Sequence, residues 1–279
     1  MFTSITPHRA GAIAALLTIL ATAACAPTMP ADDDTDEVFQ HIHGLAVNPA
    51  DQQLYIATHE GVYRSGRSFE RVGPKQDTMG FVGAGSDRFL ASGHPAVLNR
   101  PNPLGLIESR NGARTWQPIA FSGQSDFHAL DVSGSWTFAY DADKGELLRS
   151  RDRKEWQSLA RDELIDIAAN PRDPNWVLAT TATGQLLEIE VGSDPRPIAD
   201  SPRMGFIDFE TDTKVVGLGG NGEVHLSHDP GRPWKRVAKL SGMSQAVVAG
   251  ADRWFAATTS GVFSTDDEGS TWQTIYPEK

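Results

Sequence analysis

The sequence predicts an all-β protein, a single six-bladed β-propeller with four short antiparallel strands in each blade. Three observations predict it. Apolar segments recur at intervals of about forty residues. A turn sequence recurs between the third and fourth strands of several of these units. A helical repeat would need 3.6-periodic apolar runs of about ten residues or more, and the chain has none.

The repeat is legible residue by residue. HGLAVNPADQQLYIAT (43–58) is echoed by IDIAANPRDPNWVLAT (165–180), with the NP pair and the closing AT in register. MGFVGAGSDRFLAS (79–92) is echoed by MGFIDFETDTKVVG (204–217), and HALDVSGSWTFAY (128–140) with SQAVVAGADRWFAAT (244–258) completes the set. Units therefore start at 43, 79, 128, 165, 204 and 244. Each holds an apolar strand, a turn, and a second strand ending in small residues. A short third strand such as GVYRS or GVFST follows, then a fourth such as FERV or WQTI. Neighbouring blades cover both faces of an inner strand, which accounts for its being apolar on both faces. The last unit supplies its own fourth strand, so the sequence leaves open whether Val38–Gln40 adds to it.

The recurring turn has the pattern S/T-x-D-x-G-x-T-W. TDDEGSTW (265–272) matches it fully, with Asp267, Gly269 and Trp272. SHDPGRPW (227–234) keeps Asp229 and Trp234 but has Pro233 in place of Thr. SRNGARTW (109–116) keeps Trp116 but has Asn111 for Asp and Ala113 for Gly. SRDRKEW (150–156) keeps Asp152 and Trp156 and is one residue short. In such a turn the carboxylate accepts backbone N–H groups, Gly takes the strained position, and Trp packs between blades. On these residues the chain resembles the BNR/Asp-box propellers, sialidase-like and sortilin-like, and small bacterial lipoproteins labelled as glycosyl hydrolases. The resemblance covers about residues 38–277. It implies that the boxes are structural, so they speak to fold and not to activity.

The N-terminus reads separately. His8 and Arg9 precede the apolar run GAIAALLTILATAA, which suits a signal-peptide core better than a membrane span. The run ends at Cys25, the sole cysteine, in ATAAC, which resembles a lipobox with Thr22 where Leu is usual. The expected organisation is a signal peptide over 1–24, a lipid-anchored acidic tether over 25–37, and the propeller over 38–277. The tether, APTMPADDDTDE, is too poor in apolar residues to order itself, and its acids are repelled from anionic head groups. The location expected is the outer side of a bacterial membrane; the alternative is a secreted or periplasmic soluble protein. A formal net charge of −11 excludes a nucleic-acid partner of the usual phosphate-binding kind.

Equivalent positions in a propeller ring one depth of the central channel. The starts of the inner strands read His43, Met79, His128, Ile165, Met204 and Ser244, with Met243 beside the last. The second strand of each blade runs back to the same face, which brings His59 and His94 to the rim, and His41 lies on the face of His43 by its i, i+2 spacing. Imidazole with thioether suits copper, Cu(I) above all; zinc more often takes cysteine or carboxylate with histidine. The expected ligands are His43, His128, Met79 and Met204, with His41, His59, His94 and Met243 as further ligands or orienting groups. The bland alternative is packing, since Met fills irregular gaps.

Two other function classes are weighed. A small glycoside hydrolase would use rim carboxylates, for which Glu60, Asp126, Asp166 and Asp208 are candidates, but the arginine motif of sialidases is absent and the larger Asp-box enzymes resemble two propellers in tandem. No G-x-S-x-G occurs, and GLGGNGE (217–223) reads as a hairpin turn. A protein-binding scaffold at the cell surface is the third reading. The leading expectation is an exported, lipid-anchored propeller that binds a copper-type ion at its rim.

Overall fold

The computed structural model describes Met1, Phe39 and residues 41–229 and 233–277. The chain divides into Met1–Asp33 and Asp34–Lys279, and every described strand belongs to the second unit. The expected signal peptide, Cys25 and the acidic tether lie outside the described residues.

The propeller is as the repeat predicts. Six antiparallel sheets of four strands each follow chain order from the inside out. The inner strands are Ile42–Val47, Gln76–Gly85, Phe127–Ser133, Leu164–Ala169, Phe206–Phe209 and Ser244–Ala249, for blades 1 to 6. Each packs on the next, and that of blade 6 packs back on blade 1. Among the described residues there is no helix.

The core is distributed. Six apolar clusters each draw on two consecutive blades, such as Tyr55 and Ala57 of blade 1 with Phe89 and Ile107 of blade 2. The box tryptophans Trp116, Trp156, Trp234 and Trp272 belong to four of these seams, as expected of them. Seam packing is thus the main apolar burial, worth roughly 1.5–3 kcal/mol for each fully buried Leu, Ile or Phe.

Closure needs no strand exchange. All four strands of blade 6 come from the C-terminal unit. Phe39 sits with its ring 4.2 Å from Tyr276 of blade 6, 5.3 Å from Tyr63 and 5.4 Å from Phe69 of blade 1. These edge-on contacts bridge the first and last blades in the geometry aromatic pairs prefer.

The recurring turns close as their residue types require. In blade 6, Asp267 Oδ1 accepts the Thr271 N–H at 2.8 Å and its Oδ2 accepts the Thr271 hydroxyl at 2.7 Å. Those bonds hold the Asp267 carboxyl down at about 2. Gly269 has φ of +81°, and Trp272 Nε1 donates to its carbonyl. In blade 2 the Asn111 amide takes over, with Oδ1 accepting Thr115 N–H, and Ala113 carries φ of +61°. The shortened turn of blade 3 has Asp152 accept from Lys154 and Glu155 instead.

Candidate metal centre

One backbone device makes the rim. The inner strands of blades 1, 2, 3, 4 and 6 all break register near their start. The residues left out of pairing are His43, Met79 with Gly80, His128, Ile165 and Gln245. A β-bulge re-aims a side chain out of the sheet alternation. Of the repeated positions read from the sequence, His43, Met79, His128 and Ile165 therefore sit at bulges, while the blade 6 bulge falls at Gln245, next to Ser244.

Blade 5 is the exception, and it corrects one expected ligand. Its inner strand begins at Phe206 in unbroken register, so Met204 precedes the strand. Met204 is 1% exposed and packs with Ala168, Leu178 and Ile207 between blades 4 and 5. Its sulfur fills the space beside Gly217, where a Cβ would collide with it. Met204 is a core residue. Met243 is 65% exposed two residues upstream of the blade 6 bulge, and Met79 is half-buried.

The histidines do converge, in two sets. In the first, His43 Nε2 lies 3.3 Å from His59 Nδ1, and His59 Nδ1 donates to Asp77 Oδ1 at 2.8 Å. His43 Nε2 and Asp77 Oδ1 are 4.0 Å apart. One donor atom from each residue thus falls within 4.8 Å of the others. The His41 ring stands 5.3 Å from that of His59. In the second set, Asp126 Oδ2 accepts from His128 Nε2 at 2.7 Å and faces His94 Nε2 at 3.2 Å. The His94 Nδ1 donates to Asn102 Oδ1 at 2.7 Å. Asp77 and His94 are paired across the first two strands of blade 2, so the sets adjoin.

Electrostatics separate them. Burial lowers His43 to about 4, helped by the neighbouring His59 and opposed by Asp77. His43 is thus neutral at pH 7, the form that binds a metal. His128 is raised instead, first by its bond to Asp126. Burial pushes the Asp126 carboxyl up, but the bond from His128 and the charges of His128 and His94 outweigh it and hold it low.

Below the rim, a channel of about 280 Å³ is lined by all six inner strands, with His43 and His128 among the lining residues. Asp131, Asp166 and Asp208 face into it. Each accepts a backbone N–H from the next blade, at Ala169 (2.6 Å), Ile207 (2.9 Å) and Ala249 (2.7 Å). They are half-buried and line the channel. Burial raises Asp131 and Asp166 to about 7, and Asp208 well above its ordinary value. Two of the acids considered for sugar chemistry, Asp166 and Asp208, are therefore ties between blades. Glu60 is paired with Lys75, and Asp126 with two imidazoles.

The carboxylate the sequence reading missed is Asp77. The inner strand of blade 2 starts at Gln76, three residues before the repeat begins at Met79. It comes beside THEG (58–61) through the packing of blade 2 on blade 1.

No family model and no curated protein matches this chain. Solved structures do. YCF48 bound to a D1 peptide is 15% identical with a TM-score of 0.55, over 86% of this chain and 83% of that one. A chain of the nidogen/laminin complex is 14% identical with a TM-score of 0.63, over 81% and 93%. The GH74 enzyme of Niastella koreensis is 17% identical with a TM-score of 0.59, over 84% of this chain but 37% of its own. The likeness shows the fold alone. It places the chain among the β-propellers, and this chain spans little more than a third of the GH74 enzyme's length.

Proposed function

We propose that this propeller binds a divalent metal ion at its rim, through His43 Nε2, His59 Nδ1 and Asp77 Oδ1. The spacing of those atoms carries the reading. An ion holding nitrogen and oxygen ligands at about 2.0–2.2 Å in tetrahedral geometry keeps them roughly 3.3–3.6 Å apart. The three separations here, 2.8, 3.3 and 4.0 Å, straddle that range. Two imidazoles and a carboxylate suit Cu(II) and Zn(II), with Cu(II) the tighter by the usual order of divalent affinities. Cu(I) is less suited, because it favours thioether ligands and Met204 is in the core. His41 stands nearest as a further ligand. Export and a lipid anchor at Cys25 remain part of the proposal and rest on the N-terminal sequence.

A second reading, a protein partner on the rim face, is favoured by one observation. Val97 and Leu98 are exposed on the loop that follows the blade 2 strand ending at Pro95 beside His94. YCF48 was solved bound to a D1 peptide, and the second similar chain belongs to a nidogen/laminin complex. A glycosidase finds less support, since each rim acid considered is already paired.

The test is a titration of the propeller with Cu(II), Zn(II) and Cu(I) under chelator competition. One equivalent of a divalent ion is expected, lost in His59→Ala and Asp77→Asn and kept in His225→Ala of blade 5. Equal binding by all four proteins would overturn the assignment.

A further inference from the structure

We propose that the exchangeable ligand of this ion is an oxyanion, a small carboxylate or phosphate group, which takes the open position on the metal and rests a second oxygen on His128. The inference rests on the metal reading above. Three protein donors leave a four-coordinate ion with one position unfilled. His128 occupies the bulge of blade 3 and lines the same channel mouth as His43. Its Nε2 is committed to Asp126, and among the described residues its Nδ1 has no hydrogen-bond partner. The side chain is 40% exposed, so that nitrogen is available to a ligand.

Charge favours an anion there. Asp126 is 6% exposed, and its Oδ1 is buried with no partner among the described residues, so compensation of this carboxylate falls to His94 and His128. His94 turns its two ring nitrogens to Asp126 Oδ2 and Asn102 Oδ1, so neither is open to a ligand. The Asp126 carboxylate on Nε2 of His128 favours the protonated ring, in which Nδ1 donates. A divalent ion held by two imidazoles and the single Asp77 carboxylate keeps a net positive charge at its open position. The channel's 280 Å³ fits a small molecule and not a folded partner.

Cobalt(II) is the probe, because its visible spectrum reports both loading and a change of ligand. The Co(II)-loaded propeller is titrated with formate in one arm and inorganic phosphate in the other. A saturable spectral shift is expected in at least one arm, and the responding arm identifies the anion class. His128→Gln should weaken that anion about tenfold or more, the worth of a hydrogen bond to a charged group, with Co(II) affinity unchanged. No shift with either anion, or an equal shift in His128→Gln, overturns the oxyanion while leaving the metal site standing. Failure of the unsubstituted chain to take up Co(II) overturns both.

Discussion

At the residue scale, the same residue type does different work according to whether its strand is bulged. His43 and Met79 sit at broken register, His43 lining the channel and Met79 half-buried, whereas Met204, at the same place in the repeat, lies in the core where blade 5 keeps its register. That difference is testable. Met204→Ala should destabilise the fold by about 2–5 kcal/mol, the usual loss for a buried Met truncated to Ala, in urea unfolding. Its divalent-metal affinity should stay unchanged. A stable variant that has lost the ion would restore Met204 as a ligand. The sequence showed that His and Met recur at one position, but a bulge leaves no mark in residue type, so their opposite fates were not legible.

At the scale of the element, the inner strands of blades 3 to 6 are joined by carboxylates rather than by a shared ladder. Asp166 holds the Ile207 N–H from inside the channel, where burial raises its carboxyl from 3.8 to about 7. Between those values the folded chain binds more protons than the unfolded one, so stability falls as pH rises from about 4 to about 7 and levels off above. Asp131 adds to this slope with a shift of the same direction and size. His43 opposes it, because its lowered value makes the folded state lose stability as pH falls from 6.5 towards 4. Asp166→Asn keeps an acceptor for Ile207 without the charge. It should flatten the decline between urea midpoints measured at pH 5 and pH 8 on the metal-free protein. An unchanged slope would mean that Asp166 does not titrate in this window.

At the scale of the whole molecule, a ring of separate sheets is only as stable as its weakest seam. Five seams are spanned by continuous chain, while that between blades 6 and 1 is closed by packing, with Phe39 placed against Tyr63, Phe69 and Tyr276. Phe39→Ala removes those contacts and part of a large apolar burial, a loss of about 2 kcal/mol. Thermal unfolding should register it as a lower midpoint, and amide exchange should rise first in Ser244–Ala249 and Ile42–Val47. Uniform loss of protection around the ring would argue that closure is not the weak point.

The sequence by itself determined the architecture, because a propeller is written in short-range signals: alternating apolar strands, turn residues at fixed offsets, and a repeat of about forty residues. It also brought His41, His43, His59, His94 and His128 to one rim, since antiparallel return of the second strand is a matter of topology. Only the tertiary structure decided which of them meet. Asp77 joins His43 and His59, and Asp126 joins His94 and His128, through contacts between different blades or between strand ends. Those distances depend on the bulges and on how neighbouring sheets are set against one another. Both are properties of packing, and a single blade read along the chain does not contain them.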